Sequence, residues 1–148
     1  MATDPDLLKK ISCFQGLSDE QIKDIAQIAV SVCYPPHHNI FEEGVMGKRL
    51  YFLLKGKVEI LFNTGKPTLT QIDLKEGEHI MGCSAMMEPY MYTATNRSLT
   101  EVEVLEINIS QLQELMKKDC QIGLAIQSQL IKFMKEYILR LRNMLSER

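Results

Sequence analysis

The stretch RLYFLLKGKVEILFN, residues 49–63, decides the fold. It divides at Gly56 into two runs, RLYFLLK and KVEILFN, rich in aromatic and branched aliphatic side chains and bounded by turn residues. Runs of that length and composition are strands. Asn63-Thr64-Gly65-Lys66 then reads as a hairpin connection. The same texture extends both ways: SVCY (31–34) before Pro35-Pro36 and NIFEEG (39–44) upstream, then TLTQIDL (68–74), EGEHIMG (76–82), YTATNRSL (92–99) and EVEVLEI (101–107) downstream. Short strands spaced by roughly 8–12 residues point to a β-sandwich or barrel, not to alternating βα units. In the last run Val102, Val104 and Ile107 lose strict alternation at Leu105, which predicts burial on both faces or a bulge near its end.

Helical patterns flank this body. Leu7, Leu8, Ile11 and Phe14 stand at helical spacing. After Gly16, Ser18 and Gln21 have the spacing of a capping box before Ile22, Ile25 and Ala26. Beyond Ile107, Ser110 is placed to cap a short helix, SQLQELMKK, and Asp119 opens a long one running to Arg148. Positions 123, 127, 130, 134, 137, 141 and 144 of that helix advance by four and three, with Leu124, Ile131, Ile138 and Leu145 as a second stripe. One stripe on the β body and the other on a second copy make a homodimer, with Leu130, Met134, Tyr137, Leu141 and Met144 as interface residues. The alternative is one wide apolar face folded back on the chain's own barrel.

The composition, 45% hydrophobic and 24% charged with 8 Gly and 5 Pro in 148 residues, is that of one globular domain. Seventeen basic and nineteen acidic side chains are interspersed, so no general field collects nucleic acid or anionic lipid. With no apolar run near the ~20 residues of a membrane span and no signal-like N-terminus, the expectation is a soluble, cytoplasmic protein. Cys13, Cys33, Cys83 and Cys120 stand singly and read as reduced thiols, three of them as packing residues.

NIFEEG, LYFLLKGKVEI, IDLKEGEHIMG and EVEVLEI, with Gly44, Gly56, Gly77 and Gly82 at the turns, resemble the cyclic-nucleotide-binding domain family of catabolite activator proteins, protein kinase A regulatory subunits and nucleotide-gated channels. The resemblance covers nearly the whole chain. It implies a mainly β fold: an eight-stranded antiparallel β-roll of jelly-roll type over residues 31–108, helices before it over 1–30, and C-terminal dimerisation helices over 109–148. It also implies a phosphate-binding cassette over residues 81–95, where a short helix follows Gly82 and an arginine about ten residues later neutralises a cyclic phosphate.

At the two charged positions of that cassette this chain differs. Cys83 stands where the family has the ribose-binding glutamate, and Tyr92 falls on the arginine. Arg97 lies five positions further, an odd separation that sends it to the other face of a strand. What remains for a ligand is the backbone of Gly82, Ser84 and Ala85, the hydroxyls of Tyr92 and Thr93, and, from the terminal helix, Tyr137 beside Ile138.

Other chemistry is sparse. His37, His38, His79 and Cys83 lack H-x-H or H-x-x-x-H spacing, so no metal site is expected. Cys83 at a helix start has a dipole-stabilised thiolate, which opens a haem or thiol redox sensor as an alternative. No G-x-S-x-G or Walker loop is present, and the chain stops at Arg148 before any helix-turn-helix, so neither an enzyme nor a DNA-binding domain is expected. The expectation is a small regulatory sensor with weak, altered or lost cAMP or cGMP binding. A protein-interaction adaptor is the other class.

Overall fold

The computed structural model describes residues 3–63, 67–70, 76 and 79–147, with only the backbone at 63 and 67–70. Two helical turns begin the chain. Asp4 caps α1 (Pro5–Leu8), accepting from the Asp6 N–H, and a 3-10 turn, Ser12–Phe14, follows where one continuous helical pattern is read from sequence. The capping box is present: Ser18 Oγ accepts from the Gln21 N–H, and Gln21 Oε1 accepts from the Ser18 N–H, starting α2 (Asp19–Gln27).

Among the described residues eight strands follow: β1 (Ala29–Tyr34), β2 (Asn39–Phe41), β3 (Arg49–Lys55), β4 (Val58–Asn63), β5 (Pro67–Thr70), β6 (Ile80–Met81), β7 (Thr95–Ser98) and β8 (Val102–Asn108). They form two four-stranded antiparallel sheets, ordered β1-β8-β3-β6 and β2-β7-β4-β5, so strands distant in sequence lie side by side as in a jelly roll. The connection at 64–66 and Gly77 lie outside the described residues, although β4 and β5 pair across it from Asn63 to Pro67.

The unbroken apolar run in β3 is explained by cover on both faces. Phe52 packs on Phe14 of the N-terminal helical layer, ring centroids 5.2 Å apart, while Tyr51 stacks on Phe41 in the other sheet at 5.3 Å. In β8, Val104 and Leu105 are both buried, which is the burial on both faces that the lost alternation predicts, while the register irregularity falls on β3 between Leu53 and Lys55, opposite the start of β8 and not near its end.

At the C-terminal end the cap differs from expectation. Asn108, not Ser110, caps α3 (Ile109–Lys118), its Oδ1 accepting from the Gln111 N–H, because β8 runs directly into the helix. Asp119 caps α4 (Cys120–Ser146) by accepting from the Gln121 N–H. Ile122 and Ile126 of α4 are buried, Leu130, Phe133 and Tyr137 half-buried, and Leu124, Ile131, Met134, Ile138, Leu141, Met144 and Leu145 exposed. Exposure also separates the cysteines: Cys33 and Cys120 lie on the surface, so packing accounts only for Cys13 and Cys83.

Candidate functional site

Gly82 follows β6 in the left-handed region at φ 86°, a conformation that glycine adopts without a Cβ penalty. The turn it makes is tight. It leads into a short helix, as the resemblance implies, here a four-residue 3-10 helix, Cys83–Met86. Within it the Ala85 N–H donates to the Gly82 carbonyl at 3.2 Å, so that donor is consumed by the turn. Ser84 Oγ accepts from the Thr93 N–H at 3.2 Å, tying the turn to the strand that returns toward β7.

Between this turn, the roll and α4 lies a cavity of about 150 Å³. Phe41, Ile60, Phe62, Ile80 and Met81 of the strands line it, with Gly82, Cys83, Ser84, Thr93 and Ala94 of the cassette, Phe133 and Tyr137 of α4, and the polar His79 and Asn96. Of the residues singled out from sequence, Gly82, Cys83, Ser84, Thr93 and Tyr137 therefore meet at one cavity. Ala85 and Tyr92 do not line it. Arg97 lies on the opposite face of β7 from the buried Asn96 and Ser98 and stands opposite the buried Glu59 in the β4–β7 register.

Tyr92 turns the other way because the chain has built a seat for it. Its ring stacks on Phe41 at 4.2 Å and lies over Gly47 and Gly82, where an added Cβ would approach ring carbons to 2.7 and 3.0 Å. Its hydroxyl donates to the Arg49 carbonyl at 2.8 Å. Tyr92 borders a separate groove of about 470 Å³ that Lys48 and Arg49 share. Gly47 is the structural residue that sequence reading misses. Its φ is not in the left-handed region, and only the close approach of Tyr92 and Ala85 marks it.

The electrostatics follow from burial. No cationic side chain is found among the described residues lining the cavity. His79 does not supply one, since burial pushes its imidazole down to about 3 and keeps it neutral. Burial also pushes the Cys83 thiol up, outweighing the backbone N–H groups that favour the thiolate, which reverses the expectation of a reactive cysteine. The cavity, about 150 Å³, is smaller than small-molecule pockets, which run to ~300 Å³ and above, and offers no support for a haem. Among the described residues no cluster of three or more His, Cys, Asp or Glu side chains is arranged to hold a metal ion.

A β-roll with a small cavity bounded by a glycine turn and a terminal helix defines a class of domains. The family model of the cyclic nucleotide-binding domain matches residues 31–119, and the chain belongs to that family. It is 22% identical over 142 residues to a CRP-like cAMP-activated global transcriptional regulator of Mycobacterium tuberculosis, with 96% of this chain and 62% of that protein covered. The chain thus spans about three fifths of the length of that curated relative. Among solved structures, a Geobacter metallireducens protein assigned to cyclic-nucleotide binding matches with TM-score 0.74 and 29% identity over 87% of this chain and 93% of that one. The regulatory subunit of a cAMP-independent protein kinase A from Trypanosoma brucei shares the fold with TM-score 0.72 and 19% identity, over 88% and 44% of the two chains. No helix among the described residues is long and apolar enough to cross a membrane.

Proposed function

We propose that this chain is a cytoplasmic regulatory sensor, not an enzyme, whose roll cavity binds cAMP and cGMP weakly or not at all and whose occupancy is relayed through α4. The observation that carries the reading is the neutral lining: no described cavity residue is a cation, and Tyr92 at the arginine position is committed elsewhere. Each charged hydrogen bond missing from the cassette is worth ~1.5–3 kcal/mol. Two of them correspond to a loss of about 10²–10⁴-fold in affinity. That the same fold serves a cAMP-independent regulatory subunit in Trypanosoma brucei supports a roll maintained without cAMP.

The output surface is the far side of α4. Leu124, Ile131, Ile138 and Leu145 recur every seven residues, and Met134 and Leu141 fall between them, all exposed on one helix that also reaches the cavity through Phe133 and Tyr137. This reading assigns the face to a second copy of the chain. A protein partner in that place is the second reading, supported by the same exposed face.

The test is calorimetric titration with cAMP and cGMP, accompanied by hydrogen exchange of residues 81–88 and 120–137. Dissociation constants of about 0.1 mM or weaker are expected. Micromolar binding of either nucleotide overturns the assignment of a weakened cassette, and unchanged exchange under a ligand that does bind overturns the relay.

A further inference from the structure

We propose that the roll cavity is the binding site of an uncharged, single-ring molecule that carries one or two hydrogen-bonding groups. The proposal rests on the reading of this cavity as the sensing site and names the chemistry that the site accepts. Its volume, about 150 Å³, is half the lower end of the range for ordinary ligand pockets. It matches an apolar cavity of the size known to hold one benzene ring. Phe41, Phe62 and Phe133 supply ring faces and edges to such a guest, and Ile60 an aliphatic wall.

Two polar side chains give the site direction. His79 and Asn96 each line the cavity and are each only 5% exposed. The Asn96 amide offers two donors and an acceptor, and a neutral imidazole offers one of each. Together they suit a hydroxyl, amine or amide on the ring. An anion is a poor guest, because a buried charge without a partner costs several kcal/mol and is not taken up at neutral pH. A cation fares no better, since no carboxylate is found among the described lining residues.

The coupling is built into the same wall. Phe133 and Tyr137, one turn apart on α4, both line the cavity, so a guest touches the helix that carries the exposed seam. No movement of the cassette is required for that contact.

The experiment compares benzamide with benzoate, two probes of one ring size that differ in charge, and with cAMP, each at 5 mM on the intact chain. A neutral probe of this size binding at about 0.5 mM raises the unfolding midpoint by about 3–6 °C. Benzamide is expected to do so saturably, benzoate to leave the midpoint within 1 °C, and Phe133→Trp, which fills the space, to abolish the response. NMR on the wild-type chain supplies a readout independent of any variant: the Met81 and Ala94 methyl resonances shift with benzamide and not with benzoate. Equal or larger shifts with benzoate or cAMP overturn the proposal, as does a benzamide response that Phe133→Trp leaves intact, or unmoved methyl resonances. If benzamide fails while cAMP alters α4 exchange, the chemistry named here is wrong and the sensor reading stands. If neither probe registers, the chemistry named here is wrong, while the weakened cyclic-nucleotide affinity of the proposed function is unaffected.

Discussion

The Phe133 ring meets the His79 imidazole edge-on, centroids 4.5 Å apart and planes at 74°, so the terminal helix and the roll touch across the cavity wall. His79 belongs to the segment entering β6, and its carbonyl also accepts from the Leu53 N–H at 3.1 Å. A displacement of α4 is therefore felt by a residue anchored to the central strand.

Phe133→Ala removes that pairing. The ring is half-buried, so we expect a loss of about 1–2 kcal/mol, of which the edge-to-face geometry accounts for about 0.5–1.5 kcal/mol. Thermal unfolding should shift down by about 3–6 °C. Amide exchange in the second half of α4 should rise while that of β3 and β8 is unchanged. A uniform rise across the sheets would show that Phe133 is not a local tie.

Tyr92→Arg restores the residue type of the family's cassette yet is expected not to restore cyclic-nucleotide affinity. The side chain at this position faces Phe41, Gly47 and the Arg49 carbonyl instead of the cavity. Placing a guanidinium in that seat should cost about 2–4 kcal/mol. Tyr92→Phe, which loses only the hydroxyl bond, should cost about 1 kcal/mol. Calorimetry that finds micromolar cAMP binding in the arginine variant would reverse this account.

The pH dependence of stability has a contribution from His79. In the folded chain its imidazole titrates at about 3, against 6.5 when unperturbed. Between those values the unfolded chain binds the extra proton, so stability is complete above about 6.5 and declines as the pH falls toward 3. From pH 6.5 to 5 the loss from this residue is roughly 1.5 kcal/mol. Denaturant titrations should find the slope over that interval reduced in His79→Phe, and an equal slope in the two proteins would sink the assignment.

Ile138→Glu places a charge in the centre of the exposed stripe of α4. Sedimentation equilibrium is expected to give the mass of two chains for the wild type and of one for the variant, with circular dichroism unchanged. A wild-type monomer would move the face to a different partner.

The strands, the turn glycines Gly44, Gly56 and Gly82, the Ser18 capping box and the Asp119 cap are legible because each is a local pattern whose physics spans a few residues. The departures at Cys83 and Tyr92 are equally plain in the linear chain. Their consequences are not. Sequence spacing suggests a Tyr92 hydroxyl available to a ligand, and the structure turns it onto Arg49 because Gly47, some forty-five positions away, leaves room for its ring. On α4 the heptad count separates two stripes, yet Tyr137 lies half-buried at the cavity and Met134 lies exposed beside Ile131 and Ile138. Helical periodicity reports which residues share a face and leaves open what the face meets.

The sequence by itself therefore determined most element types, their order and the family. Only the tertiary structure decided the volume of the cavity, its neutrality and the side from which α4 closes it. Those properties arise where His79, Asn96 and Phe133 converge from the segment entering β6, from β7 and from α4, and desolvation there depends on distances that no spacing along the chain encodes.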